Sequence, residues 1–195
     1  ALSNRRYTPR FFFFLMILAG GMEGVALAGD FFNLFVNFEI VALAAYVLIA
    51  WEREPAGLLA GFKYLVLSSV GILFFLFGVF LIYRDTGALA MPHLTRTLAA
   101  DPALAASPAM HLALAALCVG VGVRTAFIPF HTWLPEAHAF APHPISAILS
   151  GVLIKVSFFA IIRILIVFRS MRLHGLFLWI GAITALVAVV RALAQ

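Results

Sequence analysis

Three ionisable residues lie far inside long apolar stretches of this chain: Glu39, Arg124 and Lys155. A charge inside a membrane helix costs about 2.5–3.5 kcal/mol, so such a residue is usually kept for a partner or a function. Glu39 lies about 12 Å along a helix that begins at Phe31, and Lys155 lies about 16 Å beyond Pro144, near the middle of a bilayer. We therefore predict that these charges meet one another and act on protons.

Buried acidic and basic side chains can move protons because their charge states depend on what lies next to them. Burial disfavours the charged form of a carboxylate or an amine, whereas a nearby opposite charge favours it. An acid–lysine pair that forms and breaks can drive a proton off the lysine, which makes Lys155 the predicted central carrier. A static ion pair that only holds helices together is the alternative for Lys155.

Arg124 lies close to a proline in the same apolar stretch. Pro129 has no N–H, so the carbonyl of Thr125 is expected to lose its helical partner, and Gly120 and Gly122 loosen the same turn. A broken helix with a free carbonyl beside a buried cation can hold water or an ion, as in many transport sites. The alternative is a simple kink, with Arg124 bound to a carboxylate of a neighbouring helix.

Lys63 and three histidines are further candidates. Lys63 begins an apolar stretch, where it could relay protons or extend its ammonium to the membrane surface. His131, His138 and His143 lack the His-Glu-x-x-His spacing, so we predict no metal site. Because histidine titrates near neutral pH, these three could hand over protons at the mouth of a pathway, and a plain interfacial role is the alternative.

The composition identifies lipid as the solvent for most of the surface. Of 195 residues, 65% are hydrophobic and only 11% are charged, and the mean hydropathy is +1.11. In a typical soluble domain, roughly a quarter of all residues are charged. The net charge of +5 comes from single basic residues at segment ends, so no nucleic-acid partner is predicted. With one cysteine and no Gly-x-Gly-x-x-Gly loop, the chain is expected to hold no cofactor.

The elements that position the charges are predicted to be about six transmembrane helices, which makes this an all-α membrane protein. A span needs about 20 mostly apolar residues, and backbone groups in lipid must be paired within the helix. The predicted spans are residues 11–28, 31–51, 58–83, 109–130, 144–169 and 174–193, joined by longer loops at 84–108 and 131–143.

Two local signals refine these boundaries. Asp30 is placed to cap the second span, because its carboxylate can accept from the first free N–H groups. The loop at 131–143 contains Pro135 and Pro142, so it cannot continue a lipid-facing helix. We expect it to fold back into the interface, with Trp133 anchored at headgroup depth.

Three stretches of this sequence resemble a known family, the antiporter-like subunits shared by respiratory complex I, membrane-bound hydrogenases and Mrp-type cation/proton antiporters. The overall resemblance is nearest the D-type Mrp subunit. The matching stretches are Gly-Asp-Phe-Phe-Asn-Leu-Phe-Val-Asn-Phe-Glu at 29–39, Phe-Lys-Tyr at 62–64, and the run at 124–163 with Pro-Phe-His-Thr-Trp-Leu-Pro-Glu-Ala-His, Ala-Pro-His-Pro-Ile-Ser-Ala and Ser-Gly-Val-Leu-Ile-Lys.

The resemblance implies a fold of about fourteen helices with two inverted five-helix repeats. This chain would then be a fragment with the fourth to ninth helices, which are one repeat with a broken helix plus one further helix. In the family, a fifth-helix glutamate pairs with a seventh-helix lysine, and an eighth-helix lysine passes protons along a central axis. Glu39 matches the first and Lys155 the third, and Lys63 matches a sixth-helix lysine of some members.

Two positions depart from the family pattern. Arg124 stands where the seventh-helix lysine is expected, and arginine cannot release its proton in a protein. Arg124 could therefore bias Glu39 and Lys155 electrostatically without carrying a proton. His143 stands where the family more often has threonine or serine.

The expected function is that of a proton- or cation-translocating subunit of a multisubunit antiporter or an NADH:quinone oxidoreductase-type complex. The alternative is a non-conducting structural or assembly subunit, and an intramembrane protease ranks last because no paired aspartates or zinc motif occur. The expected partners are other membrane subunits, protons, Na⁺ as a further candidate, and the lipid bilayer. No redox chemistry is expected in this chain, although its complex could be a proton-pumping oxidoreductase, and the expected location is the inner (plasma) membrane.

Overall fold

The chain folds into a bundle of α-helices. A computed structural model describes residues 8–171 and 174–193, and those residues form no strand beyond a single bridge between Asp30 and Ala90. The helices are α1 (Pro9–Leu27), α2 (Phe31–Ile49), α3 (Pro55–Thr86), α4 (Met91–Ala100), α5 (Pro102–Ala105), α6 (Pro108–Arg124), α7 (Trp133–Phe140), α8 (His143–Ile148), α9 (Ile154–Val167) and α10 (His174–Leu193). A π-helical turn at Leu149–Leu153 joins α8 to α9, and a 3₁₀ turn at Phe130–Thr132 precedes α7.

The bundle is a multi-pass membrane protein. Within the part of the chain that the structure describes, four helices are long and apolar enough to cross a bilayer: α1, α2, α3 and the continuous helix His143–Val167. Two shorter apolar helices, Pro108–Arg124 and Leu178–Val190, lie where the fourth and sixth predicted spans were placed. Large apolar side chains such as Phe13, Leu73 and Leu178 are exposed, as a lipid-facing surface requires.

Helices α3 and α6 pack with their backbones in direct contact. A methyl group added at Gly120 of α6 would lie 2.7 Å from the carbonyl oxygen of Gly71 on α3. Likewise, one added at Gly78 would lie 2.8 Å from the carbonyl oxygen of Ala113. Because glycine has no Cβ, the two backbones approach until they touch, as in other small-residue membrane interfaces.

The turn between α1 and α2 is fixed from several sides. Asp30 caps α2 as predicted, since its Oδ1 accepts from the Asn33 backbone N–H at 2.7 Å. The backbone N–H groups of Phe31 and Met91 donate to the carbonyls of Leu89 and Gly29, which ties the α3–α4 connection to this turn. The predicted loop at 84–108 therefore contains two short helices, α4 and α5, packed onto the ends of the spans.

The chain breaks after Arg124 more completely than the sequence suggested. We expected a bent helix over 109–130, but α6 ends at Arg124, and Ala126 adopts a left-handed backbone with φ of 55°. The Phe127 N–H then donates to the Gly122 carbonyl at 3.2 Å. The chain therefore forms two helices here rather than one kinked helix, and Pro129 lies between them, whereas Gly120 and Gly122 lie within α6.

The prediction for Trp133 was wrong. Trp133 is not an interfacial anchor but is 1% exposed, and its Nε1–H donates to the Val123 carbonyl at 2.8 Å. The physical reason is the break itself, because the Val123 carbonyl at the end of α6 keeps only a 3.3 Å hydrogen bond from the Ala126 N–H and can accept a second donor. The indole supplies it and attaches α7 to the end of α6.

Candidate functional site

The candidate site is centred on Arg124 at the C-terminal end of α6. Its side chain is 1% exposed, and its Nη2 lies 3.8 Å from Oε1 of Glu39 on α2, whose side chain is 38% exposed. The guanidinium also stands over the Phe38 ring, 4.8 Å from the centroid, where the ring face attracts a cation. The structure therefore brings the predicted Glu39 and Arg124 together as an ion pair that is not closed by a hydrogen bond.

The Arg124 pocket contains several polar groups without a hydrogen-bond partner. Among the residues that the structure describes, Nε, Nη1 and Nη2 of Arg124, the Tyr64 hydroxyl and the Ser68 hydroxyl are all buried and unbonded. Tyr64 and Ser68 lie one turn apart on α3, and the Tyr64 hydroxyl lies close enough to the guanidinium to act on it without closing a hydrogen bond of regular geometry. Unsatisfied buried polar groups are rare and mark places where water, an ion or a moving partner belongs.

Tyr64 is held beside Arg124 by the first residue of α7. Its ring lies 4.8 Å from the Trp133 ring, and Trp133 is itself fixed by its hydrogen bond to the Val123 carbonyl. Both aromatic side chains are fully buried. The break after Arg124 therefore positions the tyrosine as well as the arginine.

A second ion pair lies next to this pocket. Both carboxylate oxygens of Glu136, on α7, accept from the Lys63 ammonium, at 2.7 and 2.8 Å. The two side chains are 43% and 38% exposed and line a groove of about 340 Å³ together with Phe62 and Trp133. Lys63 thus neither extends freely nor meets Glu39, but joins α3 to the helix beyond the break.

Lys155 lies apart from the other predicted residues. It is exposed on the outer side of α9, and its ammonium donates to the Ser150 carbonyl in the π-helical turn. A π turn leaves backbone carbonyls without regular partners, and such turns are frequent at functional sites. Within the described residues, Lys155 has no ion pair with Glu39 or any other carboxylate.

The three predicted histidines are dispersed. Both ring nitrogens of His131 are buried and unbonded among the described residues, whereas His143 is exposed at the start of α8. The Nδ1 of His138 lies 2.8 Å from the Ser146 hydroxyl, and burial lowers the pKa of its imidazole. Across residues 8–171 and 174–193, no three histidine, cysteine or acidic side chains converge on a point where a metal ion could bind.

Comparison with known proteins identifies the family of this chain. Residues 28–195 match the transmembrane family described as NADH:quinone oxidoreductase/Mrp antiporter. The chain belongs to that family. The resemblance read from the motifs is thereby confirmed, and the all-α membrane fold agrees with it.

Relatives of this chain include both subunits of NADH-quinone oxidoreductases and subunits of Na⁺/H⁺ antiporters. NADH-quinone oxidoreductase subunit N of Desulforudis audaxviator is 38% identical over 162 residues, which are 81% of this chain and 32% of that protein. The D-type subunit of a Bacillus subtilis Na⁺/H⁺ antiporter is 27% identical over 197 residues, which are 100% of this chain and 39% of that protein. The chain spans about a third of the length of the curated relatives it matches.

A solved structure supports the same assignment. A chain of the archaeal membrane-bound sulfane sulfur reductase, a respiratory membrane complex, superposes with a TM-score of 0.80 at 34% identity. The superposition covers 88% of this chain and 35% of that chain. The helix bundle described above is therefore a fold that the family shares.

Sequence reasoning missed two residues of the site, Tyr64 and Glu136. Tyr64 is a buried hydroxyl in a segment rich in aromatic residues, and nothing in its spacing distinguishes it from a packing residue. Glu136 lies in the segment predicted as an interfacial loop, where an acidic side chain needs no explanation. The acidic residue between His131 and His138 and the Lys-Tyr pair at 63–64 were the only available signals.

Proposed function

We propose that this chain is the proton-translocating part of a membrane subunit, within a multisubunit cation/proton antiporter or an NADH:quinone oxidoreductase-type complex. The single observation that carries the proposal is the Glu39–Arg124 pair, a buried cation and a partly exposed carboxylate 3.8 Å apart at a broken helix. The family membership supports the same class of complex. Other membrane subunits are the proposed partners, and the inner (plasma) membrane is the proposed location.

In this mechanism Glu39 moves and Arg124 does not. Arg124 is fully buried and keeps its charge, because arginine is not deprotonated in proteins. The Glu39 carboxylate is partly exposed and is not hydrogen-bonded to Arg124, so it can approach or leave the guanidinium with a small side-chain rotation. A proton that binds Glu39 weakens its attraction to Arg124, which couples proton binding to movement of the carboxylate.

Lys155 is the proposed carrier beyond this pair, and Lys63 the proposed relay on its other side. The Lys155 ammonium donates to a backbone carbonyl and has no carboxylate partner among the described residues, so its charge is not locked in a salt bridge. Lys63 shares its charge with Glu136 in a half-exposed pair that joins α3 to α7. The proposed transported ion is H⁺, and in an antiporter Na⁺ would be the ion transported in the opposite direction.

The second candidate function is that of a non-conducting structural or assembly subunit. Arg163 favours it, because this arginine of α9 donates to the carbonyls of Val25, Ala26 and Ala28 and so holds α9 against the end of α1. If Glu39 and Lys155 likewise only hold helices together, substituting them lowers the amount of complex, while the complexes that remain transport at the normal rate.

A conservative substitution separates the two functions. Glu39→Gln keeps the size of the side chain and removes its ability to bind and release a proton. In vesicles that contain the full-length protein in its complex, we expect proton translocation per assembled complex to fall at least about tenfold. The measurement is the initial rate of the pH change across the membrane, divided by the amount of complex determined by immunoblot.

The matched control is Glu23→Gln, the same change at an exposed position on α1. It is expected to leave both the rate and the amount of complex unaltered. A normal rate for Glu39→Gln would overturn the proton role of this residue. A loss of complex with a normal rate per complex would establish the structural function instead.

A further inference from the structure

The arginine at position 124 creates a gap in any chain of proton transfers through the site. A group that relays a proton must accept one and donate one, and a guanidinium has five donors and no acceptor. Arg124 is also fully buried, so bulk water does not reach it to bridge the gap. Another side chain in the same pocket must therefore take the protons past this position.

The hydroxyl of Tyr64 meets the chemical requirements. A phenolic oxygen both donates and accepts, and this one is buried, without a hydrogen-bond partner among the described residues. It interacts electrostatically with Arg124, and the Ser68 hydroxyl, also buried and unbonded, follows one helical turn later on α3. By contrast, the nearby Thr125 hydroxyl is already committed to the carbonyls of Val121 and Gly122, at 3.2 Å each.

The packing around Tyr64 fixes where its hydroxyl points. The ring lies against Trp133 at 4.8 Å, and the hydrogen bond from Trp133 to the Val123 carbonyl holds the indole in place. A buried tyrosine hydroxyl normally finds a hydrogen-bond partner. Leaving this hydroxyl unbonded is unfavourable unless a transient partner fills the place.

We propose that Tyr64 carries protons through the Arg124 position, in the role that a lysine at 124 would play. This inference rests on the proposed function. In each transfer, a proton arrives on a lone pair of the Tyr64 oxygen while the hydroxyl proton leaves to a water held by Ser68, which passes a proton on to the Glu39 carboxylate. The tyrosine is neutral before and after, and Arg124 remains a fixed positive charge that orients the transfer.

The test is a pair of substitutions in the full-length protein within its complex. Tyr64→Phe removes one oxygen and keeps the ring that packs on Trp133, and we expect translocation per complex to fall at least about tenfold. Arg124→Lys supplies a side chain that can lose its proton. In the Arg124→Lys background, the same Tyr64→Phe change is expected to cost less than about threefold, because the lysine takes over the transfer.

Two further variants serve as a control and as an independent test of the relay. Tyr83→Phe makes the identical change at an exposed tyrosine of the same helix and serves as the control. Ser68→Ala removes the neighbouring hydroxyl without disturbing the aromatic packing, and a several-fold loss of rate is expected. If Tyr64→Phe prevents assembly, the rate of the Ser68→Ala complex decides the matter, and a normal rate there counts against the inference.

The outcomes for Tyr64 and for the proposed function are distinguishable. A normal rate for Tyr64→Phe together with a slow Glu39→Gln complex overturns the tyrosine relay and leaves the proposed function intact. An equal loss from Tyr64→Phe in both backgrounds also overturns the relay, since it shows a packing role. Normal rates for both Tyr64→Phe and Glu39→Gln overturn the proposed function itself.

Discussion

Two arginines inside the bundle show two different fates of a buried cation. Arg163 on α9 donates to the free carbonyls at the C-terminal end of α1, where the helix dipole also favours a positive charge. Arg124 has no hydrogen bond within the described residues and faces one carboxylate at 3.8 Å. The first arginine is satisfied and holds two helices together, whereas the second keeps unused donors beside a side chain that can move.

At the residue scale, this difference predicts that Arg163 contributes stability and not transport. Arg163→Gln removes the charged hydrogen bonds to α1, and we expect the free energy of unfolding to fall by about 1.5–3 kcal/mol. Thermal unfolding of the purified complex, followed by size-exclusion chromatography, measures the change. Arg96→Gln is the control, because Arg96 is exposed and, within the described residues, is hydrogen-bonded only to the Pro92 carbonyl of its own helix.

A transport defect would contradict that assignment. The translocation rate per assembled Arg163→Gln complex is expected to match that of the parent protein at a permissive temperature. A rate that falls in complexes of normal stability would mean that Arg163 belongs to the proton path.

At the scale of the elements, the glycines of α3 and α6 determine where Arg124 sits. The contact between Gly71 and Gly120 allows α6 to lie directly on α3, so that Arg124, one turn after Gly120, comes within reach of Tyr64. A side chain at either glycine would push the two backbones apart. The site therefore depends on residues that make no polar contact with it.

Gly120→Ala tests this dependence. The added methyl carbon would lie 2.7 Å from both the Gly71 oxygen and the Phe75 Cβ, so α6 must shift, at a cost of about 1–3 kcal/mol. We expect lower thermal stability together with slower translocation. Gly20→Ala on α1 is the matched control, because no atom of the described residues lies within 4 Å of the added carbon there, and a neutral or slightly stabilising effect is expected.

At the scale of the whole molecule, the side of α9 that carries Lys155 is uncovered. Gly151, Lys155, Phe158 and Ile162 follow one another at helical spacing, and all four are exposed. A lysine on a lipid-facing surface near the middle of a membrane would cost about 2.5–3.5 kcal/mol. We therefore expect further polypeptide to cover this side in the assembled complex.

Photocrosslinking can test that expectation. A benzophenone amino acid in place of Ile162, in the full-length protein, is expected to form crosslinks to polypeptide when the assembled complex is illuminated. Mass spectrometry of the products identifies the partner segment. Products that contain lipid alone would show that Lys155 faces the bilayer, which is incompatible with a carrier role.

The sequence by itself determined the solvent and the all-α class of the fold, and it singled out the charged residues that are candidates for the site. With 65% hydrophobic residues the chain had to be a helical membrane protein, and the cap at Asp30 and the break near Pro129 followed from backbone chemistry. Glu39 and Arg124 could be singled out because a charge in an apolar helix is costly wherever the helix lies. These properties depend on local sequence and on the bilayer, so no tertiary information was needed.

Only the tertiary structure decided which side chains meet. The pairing of Lys63 with Glu136, the burial of Trp133 and the place of Tyr64 beside Arg124 all depend on how α7 folds back onto α3 and α6. The spacing of residues in the sequence predicts which of them share a face of one helix, but it does not predict which face a neighbouring helix covers. That choice is made by packing between helices that are far apart in the chain, through contacts such as Gly71 against Gly120.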